Sequence, residues 1–338
     1  MGKTMMNALV YENPREMNIR GVPIPEPGAD DVLIRVEAAG ICGSELSGYL
    51  GHNSLRKPPL IMGHEFAGTI AAAGERADGF RPGERVTVNP LLSCRTCERC
   101  REGCPQLCGQ RRIVGAHVPG AFAEYVCVPA ASVLRLPEAV SFDAGALAEP
   151  LACAVHAVRL AGLDPADRML IYGGGPIGLL VLQAARRFGL RDVALMELNP
   201  DRRRIAASLG AAVAGSEAEV RGLMPAEGFD VVLDAVGVAA TRRDSALLAR
   251  PGGRVVFSGL HEAESAVPVN VVIRSELILR GAFCYDDADF DTALDWLADG
   301  TAGLDGWIQH SPLQEGKSCF EKLLNDPGPV AKILLTIS

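Results

Sequence analysis

Short apolar or alternating runs, broken by glycine and proline, fill the first 150 residues at positions 32–36, 66–72, 85–88 and 125–128. A period of two puts one face of such a run inward, so these segments predict a small, irregular β-rich unit. From about residue 167 the pattern changes to strand, glycine turn and helix. An apolar run at 169–172 leads into Gly173-Gly174-Gly175-Pro176-Ile177-Gly178. Beyond it Ile177, Val181, Ala184, Ala185 and Phe188 recur at helical spacing, while Gln183, Arg186 and Arg187 point away. Further apolar runs at 193–196, 231–233, 255–257 and 277–279 alternate with helical stretches. That alternation predicts a parallel sheet covered on both faces, and right-handed crossovers make it doubly wound. After Gly281 the pattern predicts helices over 289–297 and 320–324 and a closing strand over 331–337, with the tail returning to the first unit. The expected division is residues 1–150 with 284–338 in the β-rich unit, and 151–283 in the doubly wound one.

The chain has 338 residues, which is more than one hydrophobic core usually supports. Charged residues are 22% and the net charge is -8, with no block of five like charges, so nucleic-acid and membrane-surface partners gain no support. No leader-type apolar core lies in residues 1–10 and no apolar run approaches the ~18 residues of a membrane span. The expectation is a cytoplasmic protein with reduced thiols. Five of its 10 cysteines crowd between Cys94 and Cys108, which in such a compartment points to metal.

Gly173, Gly175 and Gly178 form G-x-G-x-x-G after a strand and at a helix start. There the glycines allow a tight turn, close approach of backbone to a pyrophosphate, and helix-on-strand packing, with Pro176 and Ile177 opening the helix. Unpaired N–H groups at the helix start suit the anion. Glu197 ends the next strand, 19 positions past Gly178, where an acid accepts from ribose hydroxyls and repels a 2′-phosphate. The cofactor is expected to be NAD rather than NADP. Arg202, with Arg203 and Arg204, is either a solvated helix face or a receiver for that phosphate.

Cys94, Cys97, Cys100 and Cys108 are spaced C-x2-C-x2-C-x7-C, close enough for four thiolates to surround one structural Zn²⁺. Cys104 is the alternative fourth ligand, or a free thiol. Cys42 and the pair His64-Glu65 are too far apart in sequence for spacing to join them.

Taken together, Gly40-x-Cys42-Gly43-Ser44, Gly63-His64-Glu65, the four-cysteine loop, Glu149-Pro150-Leu151 and the glycine turn stand in the order found in the zinc-containing medium-chain dehydrogenase/reductase family. The resemblance covers essentially the whole chain. It implies a GroES-like catalytic domain, a Rossmann NAD-binding domain, and a catalytic zinc between them, hence two Zn²⁺ per chain. It further implies Cys42 and His64 as ligands, Glu65 and Glu149 as ligands or exchanging groups, and Ser44 as the hydroxyl that receives the substrate proton. An acid at Glu149 resembles the sorbitol, threonine and galactitol-phosphate dehydrogenase branches, which points to a secondary alcohol of a polyol, cyclitol or sugar alcohol. Relatives of this kind assemble as homodimers or homotetramers, and the run at 277–279 is the candidate edge.

One departure stands out, because Ser47 occupies the place where many relatives carry the histidine that ends the proton relay. Water or His52 is left to end it. Arg56 and Lys57 are the basic pair near the site in this unit, suited to a substrate phosphate or to an exposed loop. Two rival readings are a zinc-free enone reductase of the same superfamily and a non-catalytic zinc-ribbon nucleotide-binding protein.

Overall fold

The computed structural model describes residues 4–300 and 306–337; residues 1–3, 301–305 and 338, all assigned to the expected first unit, lie outside it. The first unit is built on a seven-stranded sheet in the order 133–135, 85–88, 65–73, 31–40, 332–336 and 308–312, with Tyr125–Pro129 also pairing Asp31–Gly40. Along Asp31–Gly40 the inward Val32, Ile34 and Val36 are fully buried and Arg35 is exposed, as a period of two requires. The closing strand, Lys332–Thr336, does return to this sheet, pairing Leu334 with Gly40.

The second sheet is parallel and six-stranded, in the order 212–214, 192–196, 168–172, 229–234, 249–257 and 278–281. Its middle strands are buried on both faces; Met169, Leu170 and Ile171 have no exposed surface. Helix Pro176–Arg187 is buried over more of its circumference than its stripe predicts, with Leu179, Leu180, Val181 and Leu182 all enclosed. Helix Ala148–Ala161 packs on its other side, so residues outside the stripe also meet protein. Each such aliphatic side chain contributes roughly 2 kcal/mol on burial. Phe188, expected in the stripe, sits at the surface edge-on to Trp296.

The helix predicted at 289–297 spans Asp287–Ala298 and stays with the parallel sheet's cover, burying Phe290, Ala293 and Leu294 against Ala148–Ala161. His156, Asp286 and Asp289 meet at that contact, and Arg159 donates to both carboxylates, so a cation of the chain already fills the cluster. Among the described residues, no helix is long and apolar enough to cross a membrane.

Candidate active site

Three strand ends assemble the centre. Gly40 pairs with Glu65 across Asp31–Gly40 and Glu65–Ala73, and Leu334 pairs with Gly40 on the other side. The chain leaving Gly40 therefore carries Cys42 over the start of the next strand, where His64 and Glu65 lie. One ligand atom from each of Cys42, His64 and Glu65 lies within 4.8 Å of the others. From the third strand, the buried Lys332 ammonium donates to Glu65 Oε2 at 2.5 Å and to the Ile41 carbonyl at 3.0 Å. Burial opposes its charge, but Glu65 and then Cys42 outweigh that and hold its pKa above the ordinary value.

Cys42 also caps helix Gly43–Tyr49, and Glu45 in its first turn is wholly buried. Glu45 accepts from the Cys42 N–H at 3.0 Å, the Gly63 N–H at 2.8 Å and His64 Nδ1 at 2.8 Å. Burial alone would raise its pKa; the attraction of His64 and Arg56 reverses this and keeps it low. With Nδ1–H given to Glu45, the Nε2 lone pair of His64 is left for a metal. Ser44 Oγ donates to Cys42 Sγ at 3.3 Å and accepts from Arg56 Nη2 at 3.0 Å. Arg56 is thus buried beside the site rather than on an exposed loop, while Lys57 is exposed. His52 is exposed beyond the helix, and Arg56 is the polar group against Ser44 in its stead.

Glu149 is buried in the first turn of Ala148–Ala161, outside the Cys42-His64-Glu65 group but close enough to feel it. Burial first, and then the charge of Glu65, push its carboxyl up to about 7 against the opposing pull of His64 and Lys332. A divalent cation nearby would favour the ionised form.

In the cysteine loop, Cys94, Cys97, Cys100 and Cys108 converge, with Sγ separations of 3.5 Å for Cys97–Cys100, 3.5 Å for Cys94–Cys108 and 4.0 Å for Cys94–Cys100. A tetrahedral Zn²⁺ with Zn–S near ~2.3 Å needs sulfur separations of about 3.8 Å, so the set fits, whereas a disulfide needs about 2 Å. Backbone N–H groups of Thr96 and Cys97 pull the Cys94 thiol down to about 6. Cys104 lies outside the group, with its Sγ turned to the Glu102 carbonyl.

At the second centre, Gly175 caps helix Pro176–Arg187 and Pro176 fills its first position, where a missing N–H costs nothing. A Cβ on Gly178 would lie 1.8 Å from the Gly173 carbonyl oxygen, so only glycine closes this turn. A Cβ on Gly175 would meet no atom of the chain, which leaves the space over the helix start open for a pyrophosphate. Ile177 is partly buried against the core. Glu197 accepts from Gly174 N–H and Asn199 N–H, each at 2.7 Å. The arginines are not simply solvated: Arg203 donates to the carbonyls of Glu197 and Leu198, Arg204 pairs with Asp201, and Arg202 donates to the Val330 carbonyl at 2.9 Å. Arg202 Nε is buried without a partner.

The family described as Alcohol dehydrogenase GroES-like domain matches residues 28–138, and Zinc-binding dehydrogenase matches residues 176–299. Sorbitol dehydrogenase of Bacillus subtilis (strain 168) is 32% identical over 98% of this chain and 97% of that one. Two solved structures align over their full length and 99% of this chain. One is a zinc-binding dehydrogenase from Sinorhizobium meliloti 1021 bound to NADP (TM-score 0.90, 34% identity), the other an Escherichia coli CFT073 alcohol dehydrogenase complexed with NADH (TM-score 0.91, 30% identity).

Proposed function

This chain belongs to the zinc-binding, GroES-like alcohol dehydrogenases of the medium-chain dehydrogenase/reductase family, polyol branch, and from that premise we propose that it oxidises a secondary hydroxyl of a polyol, cyclitol or sugar alcohol to a ketone. The observation that carries the reading is the convergence of Cys42, His64 and Glu65 next to a serine hydroxyl. A zinc-free enone reductase has no use for that donor set, and a zinc-ribbon binding protein has no use for Ser44 beside it. Cys42, His64 and a carboxylate of Glu65 or Glu149 hold the catalytic ion, and Cys94, Cys97, Cys100 and Cys108 the structural one. When bound, zinc supplies a Lewis acid for the alcohol oxygen and NAD supplies the hydride acceptor.

The balance is secondary alcohol plus NAD⁺ giving ketone, NADH and one proton. Ser44 Oγ takes that proton from the substrate hydroxyl and releases its own outward, to water, because position 47 offers a serine. Glu45 fixes the His64 ring, and Lys332 steadies the Glu65 carboxylate. Gly173, Gly175, Pro176, Ile177 and Gly178 seat the pyrophosphate and Glu197 the adenosine ribose, which favours NAD over NADP; Arg202 is tied to the Val330 carbonyl. We divide the chain into 1–150 with 284–338 and 151–283, since every strand from Arg168 to Gly281 joins the parallel sheet and the last two strands join the other. The assembly is read as a homodimer or homotetramer through the Ile278–Gly281 edge, in the reducing cytoplasm.

Replacing Cys42 by serine tests the centre. Zinc content falls from two to one per chain, and NADH formation from sorbitol drops by about a hundredfold or more. Retention of both ions with full turnover rejects the ligand assignment.

A further inference from the structure

Arg56 is the least expected side chain near the candidate centre, a cation left only 5% exposed. Asn53 turns the chain toward it: Oδ1 accepts from the Leu55 N–H at 3.0 Å, and the carbonyl accepts from the Arg56 N–H at 3.3 Å. From there the stem lies across helix Gly43–Tyr49 at Gly48. A Cβ on Gly48 would stand 2.6 Å from Arg56 Cδ and 3.2 Å from Arg56 Cβ, so the arginine occupies the room that a side chain at 48 would need. Nη2 donates to Ser44 Oγ at 3.0 Å and passes 3.5 Å from His64 Nδ1, whose proton goes to Glu45. Nε has no partner.

Burying a cation with one donor unpaired costs stability, so packing does not account for an arginine at this position. The charge of Glu45 offsets part of that cost, since its carboxylate is attracted to both His64 and Arg56. What the guanidinium controls is one hydroxyl. A serine oxygen has one proton and two lone pairs. Ser44 sends its proton to Cys42 Sγ at 3.3 Å and Arg56 takes one lone pair, which leaves a single lone pair to accept from a substrate hydroxyl. The guanidinium stays protonated, so it orients Ser44 without itself carrying the proton, as a histidine would.

Resting on the dehydrogenase reading, we infer that Arg56 is a positioning residue for the proton step: it fixes the direction of the Ser44 hydroxyl, and Gly48 makes the room for it to do so. The substrate O–H proton passes to the remaining lone pair of Ser44 Oγ as the serine's own proton leaves to water, and Arg56 neither gains nor loses one. Without the arginine the hydroxyl is free to turn, and it meets the substrate in the right direction less often.

Three variants test this. Arg56→Met keeps the stem and removes every donor, Arg56→Lys keeps a donor and the charge, and Gly48→Ala keeps the arginine but crowds its stem. With two zinc ions per chain retained, Arg56→Met and Gly48→Ala are expected to lower kcat for sorbitol and NAD by about 10- to 100-fold with KM little changed, and Arg56→Lys to recover part of that loss. Unchanged kcat in Arg56→Met, or a rise in KM alone, overturns the inference. A second measurement needs no turnover: with cobalt(II) at the Cys42 centre and zinc in the cysteine loop, the thiolate-to-cobalt absorption band is expected to move to longer wavelength in Arg56→Met and Gly48→Ala, because Ser44 is no longer pinned on the sulfur. An unmoved band overturns the inference as well. If the wild type leaves sorbitol untouched, the substrate reading is what has failed, and the band alone decides. If Arg56→Met does not hold metal at Cys42, Gly48→Ala is read in its place.

Discussion

Glu45 gives up all contact with water to gather three N–H donors, from Cys42, Gly63 and the His64 ring. Replacing it by glutamine keeps the shape and removes the charge that fixes the imidazole, so zinc affinity at the Cys42 centre is expected to fall by about 10- to 100-fold in chelator competition. Wild-type affinity in that variant rejects the orienting role. In sequence, position 45 carries no sign of this role, because nothing linear brings it to residue 64. The Cys42, His64 and Glu65 positions were legible as a set through the resemblance. Lys332 left a subtler mark: an ammonium inside the apolar run 331–337 has to find a partner when buried, and Glu65 is it. Arg56 was ambiguous for a steric reason, since its burial depends on the absent side chain of Gly48.

At the scale of elements, helix Ala148–Ala161 presents Glu149 to the centre at one end and His156 and Arg159 to helix Asp287–Ala298 further along. Burial opposes the Asp289 charge, but His156, Arg159 and the Asp286 N–H overcome it and hold the carboxyl far below its usual range. A carboxyl depressed in the folded state contributes stability that is complete above its unfolded value near ~3.9 and is lost as pH falls below that. Asp289→Asn is therefore expected to cost on the order of 2 kcal/mol at neutral pH in urea unfolding, with the gap to wild type narrowing below about pH 4. A gap independent of pH removes charge as the cause. The helix itself was legible from its apolar spacing; its partner was not, because the carboxylates that lock it sit at its solvated-looking start.

For the whole molecule, the doubly wound sheet was readable because strand, glycine turn and helix repeat in order, and right-handed crossovers leave few arrangements. Less readable was the route of the tail, since helix Asp287–Ala298 stays on the parallel sheet's side before the chain crosses back. The outer strand Ile278–Gly281 exposes Ile278, and the helix before it exposes Val269 and Ile273. Among the described residues this strand pairs on one side only, and such an edge invites pairing with a second copy. Ile278→Lys is expected to shift sedimentation toward the monomer; an unchanged assembly places the interface elsewhere.

Glu197 is bonded through both carboxylate oxygens to backbone, at Gly174 and at Asn199. Under the proposed function, selectivity between the two nicotinamide currencies and the shape of the loop that cradles them thus hang on one side chain. An engineer who exchanges it to admit the phosphorylated dinucleotide also unpins the loop, because a neutral amide in its place offers one oxygen where two backbone N–H groups each have their own.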